Sequence, residues 1–283
     1  PMLSQKGRLL GDFTVSCLVE DNFQLTASYG AQEVHNRWFM QHLSHDVHVR
    51  NVSDRRTGFQ IAGPNARDLL TASTREDVAA IKFLDVRRMT VGQVDCTVQR
   101  VSYTGDLGYE IYCDPMDQRQ LWWTLWNAGQ PLGITPFGMR AMMSLRLDRH
   151  FGSWLSEFSP DYTAAETGMD RFISFKKNGD FIGRAVAEAE RATPPARVLV
   201  VFEVDAEDAD VVAYEPFFID GTVQGFCTSG GYSHHTGKSI AMALIPREHA
   251  HIGKQVEIEI MGKLRSAVQI EPTFDRQGSK MRS

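Results

Sequence analysis

The stretch "SYTGDLGYEIY" (102–112) sets Tyr103 and Glu110, seven residues apart, on either side of a turn bounded by Gly105 and Gly108. A carboxylate emerging beside aromatic rings in such a hairpin suits a planar heterocycle with two adjacent N–H donors, because an ionised carboxylate accepts both at once. Guanine-like and pterin edges both present that pair, and Tyr103 would stack on or hydrogen-bond to the same ring. Spacing alone is also compatible with an ordinary strand pair carrying a solvated Glu110. A second carboxylate, Asp12, opens the segment "DFTVSCLV", where Phe13, Val15 and Cys17 alternate with Asp12, Thr14 and Ser16 at the period of a half-buried strand. Asp12 either starts a solvated face or stands at the mouth of a pocket to handle a proton.

Other chemistry-bearing residues are less promising. His45 and His48 form H-x-x-H, and His234 and His235 are adjacent. On a strand an i,i+3 pair points to opposite faces, so no metal site is expected. Cys227 has no neighbouring histidine or basic helix end to activate it. The chain lacks G-x-S-x-G, P-loop and G-x-G-x-x-G signatures, which removes nucleotide-binding and nucleophile-elbow readings.

The elements that must hold these residues follow from pattern. Residues 6–28 read as a hairpin about the polar turn Glu20–Asn22, with Phe13, Val15 and Cys17 facing inward. A helix over 30–43 would bury Val34, Trp38, Phe39 and Leu43. Two strands are expected in 47–63 around "SDRR", then a helix over 63–74 with Pro64 in its first turn. Strands over 91–103 and 108–114 flank the turn "TGDLG". The helix "DQRQLWWTLWNAG" (117–129) places Leu121, Trp122, Leu125 and Trp126 on one face, with Gly129 as its C-cap. Another helix covers 137–148. From Ala196 onward short strands dominate, joined by "IDGT" and "MGK" turns, which suits a small barrel or sandwich. The boundary is expected in "AEAERATPPARV".

Composition is that of a soluble globular chain: of 283 residues, 42% are hydrophobic and 23% charged. A net charge of −5 offers no footprint for nucleic acid or an anionic membrane, and no apolar run is long enough to span one. The four cysteines form no C-x-x-C pair and are expected to be buried free thiols in a reducing compartment. The start "PMLSQKGRLL", with strand pattern almost at once, leads us to expect a piece of a longer polypeptide.

Several segments occur together in fixed order: "MLSQKGRLLGDFTV", "AGPNARDLL", "VSYTGDLGYEIY", "SLRLDRHFGSW", "DYTAAETGMDRFISF", "FIGRAVA" and "TSGGYSHHTGKSIAMALIP". They resemble the folate-binding region of dimethylglycine and sarcosine dehydrogenases, relatives of the glycine-cleavage T-protein, an aminomethyltransferase. "FGSW" after "LRLD" is closer to the dehydrogenase branch. The resemblance implies an α+β fold, with a T-protein-like folate-binding α/β domain over 1–190, incomplete at its N-terminus. A small antiparallel β-barrel domain would follow over 191–283.

It also implies function. The region would accept a one-carbon unit on tetrahydrofolate, forming 5,10-methylene-tetrahydrofolate. FAD and the small methylated amine would belong to a missing upstream domain. Carried over by motif, Asp12 would be the acid near folate N5 and N10, and Tyr103 and Glu110 would grip the pterin. Ser28 takes a place where T-proteins put asparagine, Met142 takes that of an arginine, and Trp154 is a candidate wall residue. Two other readings are a flavin-independent tetrahydrofolate-dependent methyltransferase and a non-catalytic folate-binding module. Neither nucleic acid nor membrane is an expected partner, and an N-terminal segment or partner chain is. The expected compartment is the cytoplasm, or the mitochondrial matrix in a eukaryote.

Overall fold

The computed structural model describes residues 1–154 and 156–271. In chain order the first elements are strands β1 (Met2–Leu3), β2 (Leu9–Gly11), β3 (Thr14–Val19) and β4 (Asn22–Thr26), helix α1 (Gln32–His42), strand β5 (Thr57–Ala62) and helix α2 (Ala66–Ser73). Strands β6 (Val86–Val91), β7 (Val94–Gln99) and β8 (Gly108–Cys113) follow, then helices α3 (Gln118–Gly129), α4 (Met139–Leu147), α5 (Ala164–Thr167) and α6 (Arg184–Ala192). The last strands are β9 (Arg197–Val204), β10 (Pro216–Ile219), β11 (Thr222–Ser233), β12 (Lys238–Pro246), β13 (Gln255–Ile260) and β14 (Lys263–Ile270). The described residues form two units: Thr14–Met142, and Pro1–Phe13 with the described residues that follow Met142.

In the Thr14–Met142 unit, the strands β5-β8-β7-β6 make an antiparallel sheet. Strand alternation sorts its side chains. Tyr109, Ile111 and Cys113 of β8, with Cys96 and Val98 of β7, enter the core with Leu69 and Leu70 of α2 and Leu121 and Leu125 of α3. Burying a side chain such as Ile111 stabilises the fold by about 1.5–3 kcal/mol. Glu110 and Tyr112 therefore point to the opposite face. Gly129 does not cap α3: it is the last helical residue, where a Cβ would lie 2.7 Å from Ile134. Close packing requires it, and the left-handed residue is Gly133.

The β3–β4 hairpin is turned inside out relative to expectation. Val15 pairs with Leu25 and Cys17 with Phe23, and this apolar face points outward, with Val15 61% and Phe23 55% exposed. Ser16, on the other face, is 6% exposed. The reason lies in what the inner face meets: Thr26 hydrogen-bonds Tyr112, and β3 runs against β6. Cys17 is consequently exposed, while Cys96, Cys113 and Cys227 are buried, and burial pushes the Cys96 and Cys227 thiols up to about 12.

Three further expectations change. No strand forms over 47–52; Ser53–Arg55 is a single 3-10 turn and only β5 follows. In α1 the buried side chain is His35, whereas Val34 and Leu43 are exposed. The strand β6 was not expected, since Arg87 and Arg88 interrupt its apolar pattern.

In the other unit, strands β10-β11-β12-β9-β14-β13 close into an antiparallel barrel around Phe202, Phe217, Ala241, Ala243, Ile245 and Ile258. Two of its hairpins turn on Asp220-Gly221 and Met261-Gly262, all at positive φ, the geometry that suits the right-handed twist of paired strands. Together with the helix-backed sheet this is a mixed α+β fold. Among the described residues, no helix is long and apolar enough to cross a membrane, and no three His, Cys, Asp or Glu side chains group to hold a metal. His45 and His48 lie outside any strand, and His234 and His235 lie in the turn between β11 and β12.

Candidate functional site

The face of the β5-β8-β7-β6 sheet that looks away from its core carries a polar row. Gln60, Glu110 and Gln99 stand directly opposite one another across β5, β8 and β7. Tyr112 lies on the same face two residues beyond Glu110 and donates its hydroxyl to Glu110 Oε2 at 2.6 Å. Gly58 stands opposite Tyr112, where a Cβ would lie 2.9 Å from the ring, so the missing side chain is what lets the ring lie across β5. Burial raises the Glu110 pKa, with the Tyr112 hydrogen bond opposing the shift. Burial first, then the Glu110 charge, raises Tyr112 and keeps it a donor.

The row continues into the loop that carries Tyr103. Gln60 Nε2 donates to Ser102 Oγ at 3.3 Å, and Ser102 Oγ pairs with Thr104 Oγ1 at 2.9 Å. Ser102 and Thr104 are buried, and Gly105, at φ +78°, closes the turn. These contacts fix the backbone on both sides of Tyr103, which is half-buried. Gln99 is 1% exposed, yet neither its Oε1 nor its Nε2 has a hydrogen-bond partner. This face can accept N–H donors at a carboxylate and offers an unspent amide beside it.

Asp12 lies in the other unit, just past β2, and is half-buried. Burial raises its pKa, the shift that brings a carboxyl toward proton transfer near neutral pH. The strand leading to it is tied at several points. Leu9 N donates to Tyr162 O at 2.9 Å, Arg8 bridges to Thr163, and the Trp154 indole Nε1 donates to Leu10 O at 3.2 Å. Trp154 thus braces the strand next to Asp12. Its own loop is held by a buried ion pair. Arg146 Nη1 donates to Phe151 O at 2.6 Å and to Glu157 Oε2 at 3.3 Å, Arg146 Nη2 donates to Ser229 Oγ at 2.6 Å, and Glu157 Oε2 accepts Ser153 N at 2.9 Å. Further along, Glu166 completes a capping box with Thr163 and takes Arg197 at 2.9 Å and Arg8 at 3.6 Å.

Of the residues singled out by sequence, Tyr103 and Glu110 fall on one sheet and its adjoining loop, whereas Asp12 falls in the other unit. Sequence reading missed Tyr112, Gln60 and Gln99. The alternation of "GYEIY" carries the signal for Tyr112, because i and i+2 share a strand face. No local pattern marks Gln60 or Gln99, whose placement depends on pairing register.

The family description "GCVT N-terminal domain" matches residues 1–177, and "Glycine cleavage T-protein C-terminal barrel domain" matches residues 197–275. Human mitochondrial dimethylglycine dehydrogenase is 35% identical over 99% of this chain, which spans only 34% of that protein. An aminomethyltransferase of Clostridium botulinum is 32% identical over 99% of this chain and 76% of its own length. The crystal structure of glycine cleavage system aminomethyltransferase T from Bartonella henselae shares the fold, with a TM-score of 0.86 at 20% identity, covering 97% of this chain and 74% of that one. With both halves of its fold and nearly its whole length so matched, the chain belongs to the glycine-cleavage T-protein family, as an aminomethyltransferase-type chain related to dimethylglycine dehydrogenase.

Proposed function

We propose that the chain binds tetrahydrofolate and serves as the one-carbon acceptor part of an oxidative N-demethylase of the dimethylglycine or sarcosine dehydrogenase type. The observation that carries this reading is the polar row: a half-buried carboxylate, Glu110, anchored by the Tyr112 hydroxyl at 2.6 Å and flanked by two carboxamides. An orphaned, fully buried amide and an acceptor carboxylate fit an aminopyrimidinone ring, which offers both N–H donors and a carbonyl. Related dehydrogenases and aminomethyltransferases support the same class of chemistry.

In this reading residues 1–190 hold the ligand and the barrel that follows completes the fold. Glu110 accepts the paired N–H groups of the pterin, and Tyr103 packs on or hydrogen-bonds the ring. Tetrahydrofolate, when bound, supplies the two nitrogens that take up the one-carbon unit. Asp12 holds and moves the proton at those nitrogens as 5,10-methylene-tetrahydrofolate closes, and its burial-raised pKa suits that exchange. The methylated amine and the flavin that oxidises it belong to a separate part of the longer proteins of this type.

Two measurements test this. Calorimetric titration of the chain with folinic acid should show one saturable site, and the absence of binding would overturn the proposal. With tetrahydrofolate and a methylene unit released by an added amine oxidase, Asp12→Asn should slow methylene-tetrahydrofolate formation by about 10²-fold. Folinic acid affinity should stay within about threefold, since the substitution keeps the shape of the side chain. An equal rate would remove Asp12 from the chemistry.

A further inference from the structure

We infer that Gln99 is a ligand-reading residue, one that recognises the carbonyl-and-N–H edge of the heterocycle whose amino edge Glu110 holds. The inference rests on the folate reading above and names a contact within that site. Three observations carry it. Gln99 is 1% exposed, and both polar atoms of its carboxamide lack partners in the folded chain. It stands directly opposite Glu110 in the β7–β8 register. On the other flank Gln60 does spend its amide, donating to Ser102 Oγ, so this face satisfies its polar groups internally where it can.

A buried carboxamide with two unmet hydrogen bonds costs the folded chain stability, and an apolar β-branched residue would suit a strand position better. A partner that arrives from outside would meet both bonds. Directly opposite residues on one sheet face have Cβ atoms roughly 4.5–5.5 Å apart, so Gln99 and Glu110 can reach neighbouring positions of one ring. A carboxylate only accepts, whereas a carboxamide donates through Nε2 and accepts through Oε1. The pair therefore reads a ring edge running from amino group through N–H to carbonyl: Glu110 accepts from the first two and Gln99 Nε2 donates to the third. A 4-oxo pteridine has this edge; a 2,4-diaminopteridine replaces the carbonyl by a second donor.

The experiment compares the chain with Gln99→Leu and Gln99→Glu, using folinic acid and a 2,4-diaminopteridine antifolate as probes. Gln99→Leu should weaken folinic acid binding about tenfold or more while leaving the melting temperature unchanged or higher, because no partner is lost within the protein. Gln99→Glu, which can only accept, should shift the preference between the probes toward the diaminopteridine by about tenfold. Folinic acid affinity within twofold of wild type in Gln99→Leu would overturn the inference. So would a loss that tracks a fall in melting temperature with no change of preference in Gln99→Glu. If the unsubstituted chain does not bind folinic acid, the folate reading itself falls, and this contact with it.

Discussion

Replacing Glu110 by glutamine separates binding from folding with opposite signs. Glu110 is held by burial above its ordinary pKa of 4.5, and its Oε2 takes the Tyr112 hydroxyl at 2.6 Å. A carboxyl raised in the folded state stabilises the fold below its unfolded pKa and loses that contribution as pH rises through the folded value. At neutral pH the charged carboxylate is therefore a desolvation cost, which glutamine removes while its Oε1 can still accept from Tyr112. Stability at pH 7.5 should be equal or higher in Glu110→Gln, and the difference should vanish below about pH 4.5. Binding moves the other way. One acceptor oxygen becomes an NH2 donor facing a donor edge, an unmade buried contact worth about 1–3 kcal/mol. At 1.4 kcal/mol per tenfold this is a loss of about 5- to 150-fold. Calorimetry with folinic acid and thermal melts across pH 4–8 read both. In the unsubstituted chain, affinity should also fall as pH drops through the raised Glu110 pKa, because the acceptor is then protonated. Unchanged affinity in Glu110→Gln would refute the assignment, and so would an affinity loss matched by a drop in stability.

Three other outcomes are expected. Arg146→Met leaves Glu157, fully buried, without its cation, and should cost about 3–5 kcal/mol by chemical denaturation; a loss below about 1 kcal/mol would contradict the bracing role given to this pair. Burial lowers His150 from 6.5 to about 4, so its contribution to stability is complete above pH 6.5 and disappears as pH falls toward 4, by about 3 kcal/mol at most. His150→Asn, which tolerates the φ of +53° there, should flatten that part of the stability profile, and an unaltered profile would exclude His150 as its source. The outward apolar face of the β3–β4 hairpin should drive association at high concentration, and Val15→Thr with Phe23→Thr should suppress it in sedimentation velocity. A wild-type chain that stays monomeric at about 100 μM would count against this.

How much was legible beforehand differs from element to element, for physical reasons. "QVEIEI" alternates cleanly and forms β13 as expected, and "IDGT" and "MGK" carry turn chemistry strong enough to fix two barrel hairpins. The β3–β4 hairpin shows the limit of the same signal. Alternation states that Val15 and Ser16 face opposite ways, but not which way is inward. That choice was made by Tyr112, almost a hundred residues later, which draws Thr26 and the polar face toward the sheet. Helix α1 was found, yet its buried side chain is His35 rather than the apolar set, because tertiary packing overrides the moment of a short helix. For the candidate site, Tyr103 and Glu110 were visible because a Gly-bounded turn sits between them. Gln60 and Gln99 acquire meaning only through register, which no single segment encodes.

The ties around β2 also bear on time. The Arg8 guanidinium donates to the Asp161 carbonyl across 153 residues of chain, and Leu9 takes Tyr162 across a similar span. Loops of that length close late, whereas a hairpin such as β6–β7 needs only its own turn. The backbone that presents Asp12 is thus among the last parts of the chain to find its partners. Pulse-labelled hydrogen exchange during refolding should protect amides of β6 and β7 well before that of Leu9. Until that docking occurs, a folding chain can own a finished polar sheet face while the backbone around Asp12 has yet to find its place.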